Sequence, residues 1–165
     1  MGAKFEIVSK YANKGINLPC RKTKYSAGYD FEVAEDIIIS PLEKIFYCDK
    51  STDFIKKSSR LTTLVPTGIK CKLDPGTYLE LSVRSSTPLK TGLMLANGVG
   101  IIDSDYYNNE SNEGEIFFQF VNLTPFEILL RKGTPIGQGI IKSYLTTEND
   151  IAEGERTGGF GSTDG

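Results

Sequence analysis

The stretch 97–106, NGVGIIDSDY, gathers several chemically useful features in a short run. Gly98 and Gly100 let the backbone turn or approach a ligand closely. Val99, Ile101 and Ile102 favour extended backbone, so the segment predicts a β-hairpin and not a helix. Asp103 and Asp105 stand two apart and share a face if the strand continues through them. Tyr106 closes the run with a flat ring. A hairpin of this kind offers backbone donors and acceptors, a carboxylate and an aromatic wall. Those groups suffice to hold a nucleobase, seat a sugar and activate a water. A buried hairpin with a polar turn satisfies the same residues.

Four further pieces carry chemistry-bearing side chains. Asp30 follows a glycine in AGYD, where it serves as a turn-former or as a carboxylate that holds the waters of a magnesium ion. Arg84, Ser85 and Ser86 put a guanidinium fork and two hydroxyls at the end of a strand, a combination suited to phosphate. A surface arginine beside a helix cap reads the same way. Gln138, in GTPIGQG, supplies both a donor and an acceptor. Arg156 precedes GGFGST, in which Gly158, Gly159 and Gly161 expose amides to an anion and Ser162 adds a hydroxyl. Phe160 in that run can stack on a base for about 1–3 kcal/mol. The same composition suits a frayed chain end.

Composition narrows the choices. The chain has 165 residues, enough for one domain that buries about 70% of its unfolded surface without staples. Its net charge of −2 lacks the basic footprint of a duplex nucleic-acid binder, so no stable nucleic-acid binding is expected. It contains no histidine, which removes the commonest general base, the Ser-His triad and most zinc sites. Acid–base chemistry therefore falls to carboxylates, Tyr, Lys or Cys. Cys20, Cys48 and Cys71 are odd in number and widely spaced, which fits reduced thiols in a cytoplasmic protein. No run reaches membrane-span length and the N-terminal stretch lacks a signal-peptide core, so no membrane association is expected.

The elements that must position these groups read as many short strands between turns. Strands are expected at 4–9, around Phe31 and Val33, and at 37–39, 61–65, 69–73 and 78–83. Others follow at 116–123, 127–130 and 136–145. The DPG at 74–76 is a strong turn signal between two of them. One short helix fits RSSTPLKT, with Ser86 or Thr87 as cap and Pro88 in its first turn. The segments 46–60 and 108–113 are polar excursions. From residue 146 the chain is acidic and glycine-rich, and too polar to bury a core. The pattern predicts an all-β barrel or jelly-roll-like sandwich over 1–148 and a flexible tail over 149–165.

The order of the pieces is more telling than any one of them. AGYD, RSS, N-x-x-G-x-I-D-x-x-Y, the glycine–glutamine strand and a terminal arginine with GGFGST resemble the five motifs of the trimeric, all-β deoxyuridine triphosphatases, the dUTPases. The resemblance runs from residue 27 to residue 165. It implies a distorted jelly-roll fold, hydrolysis of dUTP to dUMP and pyrophosphate with Mg²⁺, and a homotrimer with shared active sites. It also implies a role in limiting uracil in DNA and supplying dUMP for thymidylate synthesis.

Residue by residue, the resemblance assigns Asp103 to activating the water that attacks the α-phosphorus. It places Tyr106 against the deoxyribose and the backbone around Gly98, Gly100 and Ile102, helped by Asn97, against the uracil. Ser85 falls near the α,β-bridging oxygen, with Arg84, Ser86 and Gln138 about the phosphates. Asp30 matches the carboxylate that holds magnesium through waters. Arg156 matches a γ-phosphate ligand, while Phe160, Gly161 and Ser162 belong to the closing tail.

Two motifs depart from the family pattern. G-D/E-R-I-A-Q reads GTPIGQ here, so its acidic residue and arginine are missing, and ERTGGFG is one residue short between arginine and phenylalanine. The related dCTP deaminases carry a glutamate in G-x-I-x-x-E where this chain has Gln119, which cannot shuttle a proton. A regulatory nucleotide-binding protein on the same scaffold is the other alternative, with the excursions 46–60 and 108–113 as surfaces for a protein partner. The expected location is the cytoplasm, or the host cytoplasm for a viral protein.

Overall fold

A computed structural model describes residues 2–42, 62–154, 156, 158 and 159. The excursion at 46–60, Cys48 and the tail residues Phe160, Gly161 and Ser162 lie outside the described residues. Eleven strands and one short helix form the described body: β1 Lys4–Ile7, β2 Tyr29–Glu32, β3 Ile37–Ile39, β4 Thr63–Pro66, β5 Ile69–Lys72 and β6 Thr77–Val83. After β6 come α1 Ser86–Thr91, β7 Leu93–Leu95, β8 Gly100–Asp103, β9 Phe117–Asn122, β10 Ile128–Leu130 and β11 Pro135–Ser143. The fold is all-β, of the jelly-roll type, as the turn-punctuated sequence predicts. Among the described residues, no helix is long and apolar enough to cross a membrane.

Two sheets carry the architecture. One orders its strands β2-β11-β6-β8 and the other β4-β9-β7, with the pairs β1-β5 and β10-β3 beside them. All pairings are antiparallel. Alternation along each strand sets what faces inward. In β6, Leu79 and Leu81 are buried, and in β9 Phe118 and Phe120 are fully buried. These side chains meet in one core cluster with Phe31, Ile39 and Ile116. The Phe118 ring lies 5.7 Å from Phe31 and 6.2 Å from Phe120, so aromatic contacts link the two sheets. Each such ring contributes roughly 1.5–3 kcal/mol through burial.

Gly137 of β11 sits directly against the Phe118 ring, where a Cβ would overlap it. The glycine-rich β11 thus lets the sheets close on each other. Asn122, buried at the end of β9, is a polar staple. Its Nδ2 donates to the carbonyls of Ile39 (3.0 Å) and Phe126 (2.7 Å), and its Oδ1 accepts from Thr124 N–H (2.9 Å). A buried amide is tolerated because these bonds satisfy it.

Three local expectations are corrected. The stretch 97–106 is not a hairpin: β7 pairs with β9, whereas β8 pairs with β6, so the chain arches from one sheet to the other. The strand stops at Asp103, and a 3₁₀ turn over Ser104–Tyr106 follows, so Asp105 does not continue a strand face. The helix is capped by Ser85, one residue earlier than expected, without a side-chain cap bond. The helix ends at Gly92, whose φ of 68° and N–H bond to the Pro88 carbonyl (2.9 Å) stop it.

Candidate active site

Most of the sequence-predicted residues fall into two separate hollows. The first, about 170 Å³, is lined by Asn97, Gly100, Ile102, Asp103 and Tyr106 together with Arg156. Gly100 is buried because Leu81 of β6 packs against it, 3.1 Å from where a Cβ would stand. A side chain there would push the arch away from β6. Asp103, registered opposite Tyr78, ends β8 at the mouth of this hollow. The 3₁₀ turn then swings Tyr106 back inward, leaving it 5% exposed.

The Tyr106 hydroxyl donates to the Glu115 carbonyl at 3.3 Å and accepts from Asn112 Nδ2 at 2.7 Å. Burial pushes the phenol above its ordinary pKa, and the bond from Asn112 partly offsets that. The hydroxyl is therefore neutral through the physiological range. Arg156 reaches in from the tail and forks between two carboxylates. Its Nη2 pairs with Asp103 and its Nε with Asp105 at 2.8 Å, while the guanidinium sits 5.9 Å over the Tyr106 ring. Gly159 packs so closely on that ring that a Cβ would come within 2.7 Å of it.

The second hollow, about 260 Å³, is built by three strands of the same sheet. Asp30 on β2 lies opposite Gln138 on β11, and Arg84 and Ser85 follow the end of β6. Arg84 Nε is 3.6 Å from Asp30 Oδ1. The Gln138 amide lies over Gly28, which must lack a side chain to admit it. Lys22 and Ser26 complete the lining. Arg21 shapes this loop by donating to the carbonyls of Lys24 (3.1 Å) and Ser26 (3.0 Å). A carboxylate, two hydroxyls, an amide and two cations suit phosphate oxygens and a hard, hydrated cation.

The two hollows share no lining residue. Tyr78, opposite Asp103, and Val83, next to Arg84, lie at the two ends of the β6 ladder. At about 3.3 Å per residue those ends are roughly 17 Å apart, with Ser85 farther still.

The sequence-predicted residues are thus divided. Asn97, Gly100, Ile102, Asp103, Tyr106 and Arg156 line one hollow, and Asp30, Arg84, Ser85 and Gln138 the other. Gly98 and Ser86 line neither. Leu81, Leu95 and Lys22 carry no motif signal and were missed. Gln119, weighed in the sequence only against a deaminase glutamate, also lines the first hollow and donates to Thr62 Oγ1 at 2.7 Å. Of the cysteines described, Cys20 is an exposed free thiol and Cys71 a buried one whose pKa burial pushes up to about 12.

Fold and hollows together define a jelly-roll protein with an aromatic–carboxylate pocket and a separate basic, hydroxyl-lined one. The family model for dUTPase matches residues 45–164. The deoxyuridine 5'-triphosphate nucleotidohydrolase of Lactococcus lactis subsp. lactis (strain IL1403) is 45% identical over 161 residues, covering 96% of this chain and 95% of its own. The crystal structure of dUTPase from Streptococcus mutans superposes with a TM-score of 0.73 at 39% identity, covering 88% of this chain and 98% of that one. A mutant dUTPase from phage phi11 of S. aureus shares the fold at 17% identity, with a TM-score of 0.65 over 93% of this chain and 98% of its own. The chain belongs to the dUTPase family and is a dUTP nucleotidohydrolase.

Proposed function

We propose that hydrolysis proceeds at sites shared between subunits of a homotrimer. The observation that carries this reading is the separation of Asp103 from Ser85. A base must lie within hydrogen-bond reach of the attacking water, and the leaving oxygen sits on the same phosphorus. Asp103 and Ser85 of one chain, well over 10 Å apart along β6, cannot serve one phosphorus. A neighbouring subunit's second hollow, brought to the first, makes a complete site. The apolar surface beside Asp103, formed by exposed Ile101 and Tyr144 with half-buried Tyr78, supports a subunit contact there.

In this reading the uracil rests on the arch backbone around Gly98–Ile101, helped by Asn97, and Tyr106 borders the deoxyribose. Asp103 takes a proton from water as the water oxygen bonds to the α-phosphorus. The bond from that phosphorus to the α,β-bridging oxygen breaks, with Ser85 of the neighbouring subunit donating to the departing oxygen. Arg84 and Gln138 hold the phosphate chain, and pyrophosphate leaves. No histidine exists to act as an alternative base. The oxygen donors of Asp30, Gln138 and Ser85 fit Mg²⁺, which binds few direct carboxylates and keeps its waters. Bound there on the triphosphate, it would neutralise charge on the phosphate oxygens. In the phage phi11 relative a structural Mg(II) ion is coordinated.

Residues 1–148 form the catalytic body and 149–165 the closing tail. Arg156 holds Asp103 and Asp105 before substrate enters, and then turns to the γ-phosphate while Phe160 covers the base. The product dUMP supplies thymidylate synthesis, and removal of dUTP limits uracil in DNA, within the cytoplasm.

Pyrophosphate release with Mg²⁺ across dUTP, dCTP, dTTP and UTP tests the reading. Release from dUTP alone supports it. Uracil nucleotide formed from dCTP would move the chain to deamination despite Gln119.

A further inference from the structure

The loop between Tyr106 and β9 has no part in the chemistry above, yet two of its groups bond the hydroxyl of Tyr106, which lines the first hollow. Asn112 Nδ2 donates to the Tyr106 hydroxyl at 2.7 Å, and Asn112 Oδ1 accepts from Gly114 N–H at 3.0 Å. The second bond fixes which way the amide faces. The loop itself is tied to the body. Lys70 Nζ on β5 donates to Asn108 Oδ1 at 2.6 Å and pairs with Glu113 at 3.5 Å. The Glu113 carboxylate accepts from Ser9 N–H at 3.2 Å, and Tyr107 donates to Glu6 on β1. Asn108 and Glu113 both adopt a φ of 60°, which asparagine tolerates but glutamate keeps only when its surroundings enforce it.

We infer that Asn112 is a positioning residue for Tyr106 and thereby sets how strictly the site rejects ribonucleotides. The inference rests on the proposed contact between Tyr106 and the deoxyribose. A ring excludes a 2′-hydroxyl only if it cannot tilt away. Without Asn112, the hydroxyl keeps the longer bond to the Glu115 carbonyl, 3.3 Å, as a weaker tether. The amide, anchored through its loop to β1 and β5, makes the ring a fixed wall.

The test is the ratio of kcat/KM for dUTP over UTP, measured on the full-length protein. Asn112→Ala lowers that ratio about three- to tenfold, the effect of one net hydrogen bond, through better use of UTP. A merely structural defect lowers both substrates together and leaves the ratio in place. Asn112→Asp keeps an acceptor for Gly114 N–H and receives the tyrosine O–H, so it restores the ratio. Tyr106→Phe keeps the ring but loses both hydroxyl bonds, so it shows a fall at least as large, with no further loss when Asn112→Ala is added. Tyr106→Phe also decides the matter should Asn112→Ala fail to fold. An unchanged ratio in Tyr106→Phe or in folded Asn112→Ala, alongside a fall in Tyr106→Ala, overturns the inference alone. An unchanged ratio in Tyr106→Ala overturns the sugar contact and the inference with it.

Discussion

Replacing Asp103 by Asn separates chemistry from architecture. The substitution keeps shape and removes the charge that would take a proton from water. A positioned general base contributes roughly 10²–10⁴ in rate, so kcat should fall by that factor. The structural cost is small by comparison. Asp103 is one of two carboxylates held by Arg156, its side chain is 46% exposed, and the pair with Asp105 at 2.8 Å survives. An ion pair this exposed is worth about 0–1 kcal/mol. In a chain of this size that moves Tm by no more than about 4 °C. The assay is pyrophosphate release at saturating dUTP, with a thermal melt and binding of a non-hydrolysable dUTP analogue alongside. A kcat within tenfold of the native value would refute Asp103 as the base. A melt lowered by much more than the ion pair allows would mean that the rate loss reports damage to the fold.

Two further outcomes test the surroundings. Ending the chain after Ile151 removes Arg156 and the GGFGST run, and should cut kcat/KM far more than it lowers Tm; an unaffected rate would make the tail a passive end. Glu115 is 4% exposed, and burial raises its carboxyl pKa despite the hydrogen bond it accepts from Gly68 N–H. Its folded-state pKa therefore lies above the unfolded one. The contribution to stability is complete at acid pH and is lost as pH rises through the raised value. Glu115→Gln keeps the acceptor and cannot ionise. Denaturant unfolding should find it more stable than the native chain at about pH 7 to 8 and equal near pH 4; equal stability at both would contradict the burial argument.

Much of the fold was legible because its signals are local. The DPG turn separates β5 from β6, and alternation places Leu79, Leu81, Phe118 and Phe120 on inner faces. The ordered motifs likewise held most of the polar residues that line the two hollows. What escaped is non-local. NGVGIID carries the turn residues of a hairpin, but partners are chosen by packing, and β7 and β8 joined different sheets. No spacing in the sequence says that Ser85 and Asp103 stand at opposite ends of β6, because that depends on the β6–β8 register. Lys22 and Asn112 look like ordinary loop residues. Their neighbours in space, Arg84 and Tyr106, give them meaning, and those neighbours are brought close only by the fold.

The shared site is the claim on which the mechanism depends, and subunit mixing tests it most directly. Asp103→Asn and Ser85→Ala, each expected to be inactive alone, are co-expressed in equal amounts and pyrophosphate release is measured. If each site draws Asp103 from one subunit and Ser85 from its neighbour, random assembly gives both intact residues to roughly one quarter of sites. The account predicts recovery to about that fraction of the native rate. Activity that stays at the background of the separate variants would contradict it and place the whole site within one chain.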